Sequence, residues 1–141
     1  MPALTADTSI PEKASAFSMI NEYGTAAAAV CYQGALVVVD ANGNFAPGTT
    51  ALNLVGAGRC EEFVDTSGGA AGALTVRVKS GIFRFSNSAG DPIPATQVGE
   101  TCFIEDDNTV SATNGGATQS AAGRVYEVDA DGVWVAIAYP I

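Results

Sequence analysis

Histidine is absent from this sequence of 141 residues. Without an imidazole, neither a Ser-His-Asp triad nor a Cys-His pair can be assembled, and a zinc site built on histidine is excluded. Ser-Lys and carboxylate-pair catalysis remain possible. However, the adjacent acids Glu61-Glu62 and Asp106-Asp107 would point to opposite faces of a strand and could not share one substrate. We therefore expect no enzymatic activity, no cofactor and no metal site.

Basic residues are scarce, with 6 Lys and Arg against 15 Asp and Glu and a net charge of −9. A polyanion would have to bind against that negative field, so we expect no nucleic-acid partner. The longest apolar run, residues 26–39, is interrupted by Gln33 and Gly34 and falls short of the roughly 20 residues of a membrane span. The first 16 residues lack the order of a signal peptide. We expect a soluble, unexported protein with no membrane partner.

Cysteine occurs three times, at Cys31, Cys60 and Cys102. An odd number at these spacings fits neither a disulfide framework nor a CxxC metal site. Because each cysteine has apolar neighbours, we expect three free, buried thiols in a reducing compartment. Mean hydropathy is high, at +0.22. Either the Ala- and Gly-rich composition explains this value, or apolar surface is buried against copies of the chain or a partner.

Short runs of strand-forming residues, each ended by Gly, Asn, Asp or Pro, follow one another from Tyr23 onward. Regular short strands separated by turn residues predict an all-β barrel or sandwich. Pro92 and Pro94 exclude a central strand over residues 91–99. We predict separate strands on either side of Gly58-Arg59. Two-residue hairpin turns are predicted at Asn42-Gly43, Ser80-Gly81 and Asp131-Gly132.

The stretch DADG, residues 129–132, resembles part of a calcium loop. It lacks the third acid of such a loop, and Ala138 stands where the closing Glu is required. A turn at Asp131-Gly132 instead pairs residues 126, 128 and 130 with residues 137, 135 and 133 on one face, with Tyr126 opposite Ile137. The hairpin is therefore the favoured interpretation.

The predicted Ser80-Gly81 hairpin concentrates positive charge. It places Val76, Val78, Phe83 and Phe85 on one face, with Arg77, Lys79 and Arg84 on the other. Like charges opposite one another are unfavourable, so an acidic group is expected to meet them. That group could come from the same chain or from a neighbouring subunit or partner. We take Arg77, Lys79 and Arg84 as a candidate interface.

Residues 1–22 differ from the remainder in having two prolines, Pro2 and Pro11, and no sustained periodicity. Such a segment suits an extended arm more than a strand inside a sheet, with a short helix possible over residues 14–20. A disordered terminus is the alternative. We divide the chain into an N-terminal arm, 1–22, and a β-barrel domain, 23–141. The arm carries five apolar candidate anchors: Leu4, Ile10, Phe17, Met19 and Ile20.

Four segments occur in a familiar order between about residues 24 and 137: GALVVVDANGNFAPG, VDTSGGAAG, VGETCFIEDDNTVS and AAGRVYEVDADGVWVAI. Together they resemble the capsid decoration, or cement, proteins of tailed bacteriophages. The resemblance implies a small β-barrel or β-tulip-like domain that forms a homotrimer at local three-fold positions outside the head. The implied partner is the major capsid protein, onto which an N-terminal arm often reaches. We take the five apolar residues of the arm as its candidate contacts. The implied location is the virion, after synthesis in the bacterial cytoplasm.

Two other functional classes remain open. The chain could be a different structural β-module of a virion, such as a head-fibre base, a tail component or a glycan-binding domain. Trp134 and Tyr139 are the candidate aromatics for glycan binding, although both also suit packing in the core or between subunits. A carboxylate-dependent hydrolase is the third class, and it would require a buried pair of acids in a pocket.

Overall fold

The computed structural model describes residues 3–138, and for residues 13–19 it describes the backbone alone. Within this range the chain forms eleven strands, a turn of 3-10 helix at Ala95–Gln97 and no α-helix. No helix there is long and apolar enough to cross a membrane. The strands are β1 (Glu12–Gly24), β2 (Val30–Cys31), β3 (Leu36–Val39), β4 (Phe45–Pro47), β5 (Val55–Cys60), β6 (Val64–Asp65), β7 (Thr75–Asn87), β8 (Thr101–Asp106), β9 (Thr109–Ser111), β10 (Ala121–Asp129) and β11 (Gly132–Ile137).

Five of the strands close into a barrel in the order β7, β11, β10, β8, β9 and back to β7. Every neighbouring pair is antiparallel except β7 and β9, which run parallel. Successive side chains of a strand point to opposite faces, so each strand fills the barrel with the side chains of its inward face. These barrel-strand residues are Phe83, Phe85, Cys102, Ile104, Val110, Ala122, Val125, Val133, Val135 and Ile137. The predicted all-β barrel is confirmed.

A second core lies beside the barrel, under an outer sheet in which β5, β3 and β4 extend from β7. Strand β3 separates the two cores, because Leu36 and Val38 pack in the barrel core while Val37 packs in the second core. Burial on both faces explains why this strand is an unbroken apolar run. The buried residues of the second core are Cys31, Ala35, Val37, Phe45, Ala57, Cys60, Val76 and Val78.

The predicted hairpin at Ser80-Gly81 is wrong, because residues 75–87 form the single strand β7. Val76 and Val78 fill the second core, whereas Phe83 and Phe85 fill the barrel core. The buried side of β7 therefore changes along the strand. The change occurs at Gly81, whose φ of 155° is one that L side chains rarely adopt. A two-residue turn and a change of buried face produce the same apolar pattern in a sequence.

The predicted break at Gly58-Arg59 is also wrong, since β5 runs through both residues. Pairing with β3 skips Ala57, which makes a bulge there, and Gly58 has a φ of 147°. A Cβ atom at Gly58 would overlap the carbonyl oxygen of Lys79 on β7. Gly58 therefore permits close contact between two strands instead of ending one.

The hairpin at Asn42-Gly43 is confirmed, but its loop has three residues, 41–43. The amide of Asp40 donates to Asn44 O at 2.8 Å, and Gly43 takes a φ of 81°. This is the three-residue hairpin with glycine in the left-handed region. The absence of a central strand over residues 91–99 is confirmed, because this stretch holds only the short 3-10 turn.

The hairpin of β10 and β11 is confirmed, but its register is shifted. Asp129 pairs with Gly132, so the two turn residues are Ala130 and Asp131. Pairing then skips Tyr126, which forms a β-bulge. The predicted pairing of Tyr126 with Ile137 is therefore wrong, and the Tyr126 side chain is 48% exposed.

Candidate interaction surfaces

The five apolar residues of the N-terminal segment occupy different environments. Ile10 is buried in the barrel core, and Leu4 packs partly buried against the second core. Ile20, on β1, is 47% exposed. The side chains of Phe17 and Met19 lie outside the described part of the chain. Ile10 and Leu4 are thus occupied within their own domain, whereas Ile20 is accessible to a partner.

Residues 8–11 are held to the domain by hydrogen bonds to their own backbone atoms. Thr8 N donates to Gln33 O at 2.7 Å. The Arg59 guanidinium donates through Nη1 to Ile10 O at 2.8 Å, and Arg84 N donates to Pro11 O at 2.9 Å. This segment follows the surface of its own domain and does not extend away from it.

Strand β1 continues from that segment and pairs antiparallel with β7, in a register interrupted between Glu12 and Met19. The expectation of an arm outside the sheet therefore differs from the structure, and the division at residue 22 falls inside β1. Pro11 precedes β1, so its missing N–H does not interrupt the pairing. The expected short helix over residues 14–20 is absent as well, because this backbone belongs to β1.

The candidate basic interface is divided between two faces of β7. Lys79 Nζ lies 2.9 Å from Glu12 Oε1, and both side chains are about one-fifth exposed. Arg77 lies 4.0 Å from both Glu22 and Glu62, with all three side chains largely exposed. Exposed pairs at this distance contribute at most about 1 kcal/mol. Arg77 and Lys79 therefore meet acids of their own chain.

Arg84 lies on the opposite side of β7 from Arg77 and Lys79. Its Nη1 atom is 3.7 Å from Asp131 Oδ2, and its guanidinium lies 5.7 Å from the ring centroid of Trp134. The three basic residues do not form the single face that the hairpin implied. Each has an acidic partner within the chain, and their role as an interface stays a prediction.

The DADG turn is organised around the carboxylate of Asp129. Its Oδ1 atom accepts the amides of Asp131 and Gly132, and its Oδ2 atom accepts the Trp134 indole N–H at 2.8 Å. The indole hydrogen bond, followed by the Asp131 amide, lowers the pKa of Asp129. Both carboxylate oxygens of Asp129 thus stabilise the turn. Residues 3–138 contain no cluster of three or more metal-binding side chains.

The candidate glycan-binding aromatics are not a pair of exposed rings. Trp134 is only 8% exposed, with its indole N–H bonded to Asp129. Tyr139 lies outside the described residues. Trp134 therefore takes the packed role rather than that of an exposed aromatic, and it offers no ring for glycan binding.

The three cysteines are free and buried, as expected. Burial raises the pKa of Cys31 and of Cys102 to about 12, and that of Cys60 to about 11. Reaction with electrophiles requires the thiolate, so these thiols are protected both by their pKa and by their lack of access. They act as small apolar side chains in the two cores.

The adjacent acids have separate structural roles. Glu61 forms an ion pair with Arg59 at 2.8 Å. Asp107 is buried, and its Oδ1 atom accepts the amide of Leu4 at 2.9 Å. Burial raises the pKa of Asp107 despite this hydrogen bond. Asp107 thus fixes the start of the N-terminal segment.

Exposed apolar side chains form surfaces that the sequence pattern did not reveal. Tyr126 lies at a bulge, and the bond from Gly99 N to Val125 O brings the segment of Val98, which is 50% exposed, alongside it. Phe63 is 45% exposed and contacts the ring of Tyr32, with centroids 5.5 Å apart. No periodicity marks a bulge in advance, so only the strand pairing identifies Tyr126 as a surface residue.

Comparison of the chain with known protein families, with curated proteins and with solved structures finds no match. The functional proposal therefore depends on the four sequence segments and on the surfaces described above.

Proposed function

We propose that this protein is a structural virion component that binds the outside of a tailed-phage head as a homotrimer and stabilises the shell. The observation that carries the proposal is the ordered set of four segments shared in character with capsid decoration proteins. Three of these segments coincide with the hairpins β3–β4, β8–β9 and β10–β11. The resemblance therefore involves much of the sheet framework, in addition to the loops.

A closed barrel suits this role because a decoration protein needs a rigid shape and two interfaces. A protein that binds the assembled shell but not its free subunits stabilises the assembled state by its free energy of binding. Many copies with weak individual affinity stabilise the shell strongly when a trimer contacts several capsid subunits at once. The net charge of −9 disfavours competition for the packaged genome.

Within the N-terminal segment, we assign the contact with the major capsid protein to the exposed part. Ile20 is accessible, whereas Ile10 and Leu4 are packed against their own domain. Contacts by Phe17 and Met19 remain part of the proposal. The exposed face of β1 is thus the surface we expect to touch the shell.

The test is binding of the purified protein to bare, expanded heads, measured by co-sedimentation. We expect saturable binding and an increase in the temperature at which the heads release their DNA. The matched variants are Ile20→Ala, which should weaken binding, and Leu52→Ala, an equally exposed change outside β1 that should not. Absence of binding to any shell would reject the decoration function.

A further inference from the structure

An exposed apolar surface with one positive charge lies on the outside of the barrel. It comprises Val98, Arg124 and Tyr126, which we call the Tyr126 patch. Gly99 N donates to Val125 O at 2.8 Å, and Arg124 Nη1 donates to Gly99 O at the same distance. These bonds hold the two chain segments side by side. Val98 and Tyr126 are 50% and 48% exposed.

Arg124 differs from the other basic side chains that the structure describes. Arg59, Arg77, Lys79 and Arg84 each have a carboxylate within 4.0 Å. No carboxylate of residues 3–138 pairs with Arg124 in this way, and its side chain is exposed. In a chain of net charge −9, Arg124 is thus a cation without a carboxylate within 4.0 Å among the described residues, on the same surface as two exposed apolar side chains.

A second exposed apolar surface carries the opposite charge. It comprises Glu62, Phe63 and Asp65, which we call the Phe63 patch. Phe63 is 45% exposed and is supported from one side by the ring of Tyr32. The Glu62 side chain is 66% exposed, and its ion pair with Arg77 is long, at 4.0 Å. Asp65 is exposed as well.

We propose that copies of this chain associate head to tail, with the Tyr126 patch of one copy against the Phe63 patch of the next. Two identical patches would bring like charges together, whereas these two patches are complementary in charge and both have an apolar centre. A contact between unlike patches is heterologous, and it forms a ring when the rotation from one copy to the next closes on itself. The inference rests on the proposed homotrimer and assigns residues to its interface.

The chemistry of both patches fits a protein interface. Tyrosine and arginine are enriched among the residues that dominate binding energy. Pairing of Arg124 with Glu62 would set the register, while burial of Tyr126 against Phe63 would supply affinity. The exposed residues Leu52 and Leu74 have no charged residue beside them in sequence, so charge does not select a partner there.

Sedimentation equilibrium of the full chain tests the contact. We expect Arg124→Glu, Glu62→Arg and Tyr126→Ala each to weaken self-association ~10-fold or more. The double variant Arg124→Glu with Glu62→Arg should recover most of the loss, because it restores opposite charges. Leu52→Ala is the exposed control and should associate like the wild type. All of these side chains are exposed, so each variant should still unfold cooperatively. A lower melting temperature is expected only from weaker association and, for Arg124→Glu, from loss of the bond to Gly99 O.

The outcomes separate this inference from the proposed function. A wild-type trimer that none of the three single variants weakens would overturn the assigned contact and leave the decoration function standing. Weakening by the single variants without recovery in the double variant would reject the Arg124–Glu62 pairing. A wild-type protein that is monomeric in solution but binds heads would overturn head-to-tail association and the homotrimer, while binding to the head would stand.

Discussion

Ile10 and Ile20 provide a direct test of how the N-terminal segment is used. Both are isoleucines in the segment for which we propose contact with the capsid, yet they are 7% and 47% exposed. Ile10 belongs to the barrel core, and its carbonyl accepts a hydrogen bond from Arg59. We predict that Ile10→Ala destabilises the domain, whereas Ile20→Ala leaves its stability nearly unchanged.

The expected size follows from burial. Ile10→Ala removes three carbons at ~0.8 kcal/mol each, or about 2.4 kcal/mol. The remaining cavity brings the loss to about 3 kcal/mol, within the range found for such substitutions. For a chain of this length the melting temperature should fall by about 10 °C. Ile20→Ala should cost less than about 1 kcal/mol, because its side chain is half exposed.

Urea unfolding followed by the fluorescence of Trp134, the single tryptophan, measures both changes. Calorimetry provides the melting temperatures, and equal denaturant slopes would show that the unfolded states are comparable. Equal stability of the two variants would refute the placement of Ile10 in the barrel core. It would also restore the segment as a free arm.

Three further predictions concern the interior. Gly58→Ala should lower the unfolding free energy by several kcal/mol, because its Cβ would overlap Lys79 O. The control Gly43→Ala, in an open turn, should cost about 1 kcal/mol. Equal losses of the two variants in chemical denaturation would contradict this prediction. Asp107 has a raised pKa, so its favourable contribution is present at low pH and is lost as pH rises through the folded value. Asp107→Asn should therefore be at least as stable as the wild type at pH 7, with any gain vanishing below about pH 4; destabilisation confined to neutral pH would oppose it. The three thiols should resist a thiol reagent in the folded protein and all react in denaturant, and rapid labelling of the native state would contradict their burial.

The strand pattern of this chain is largely readable from sequence, whereas the points where strands change face are not. In β7, Val78 and Phe83 are separated by an odd number of positions, which excludes one uniformly buried face. The sequence permits either a turn or a change of core between them. Only the presence of a second core beside the barrel decides between these possibilities, and that core is formed by distant strands.

The β10–β11 hairpin shows the same limit on a smaller scale. The turn residues predict that a hairpin exists. The bulge leaves Tyr126 without a partner on β11, so its side chain points to the opposite face from the one predicted. The ion pair between Lys79 and Glu12 joins residues 67 positions apart. No local pattern predicts such a contact. The three basic residues of β7 predict only that acidic side chains lie close to them.

The continuity of β7 has a mechanical consequence. One covalent strand contributes Val76 and Val78 to the second core and Phe83 and Phe85 to the barrel core. The two cores therefore cannot separate like domains on a linker, since parting them would strip hydrogen bonds from both sheets at once. Tension applied to the outer sheet is carried along the strand axis into the barrel wall, as shear across many hydrogen bonds. A shell-bound copy would resist stretching as a single stiff body.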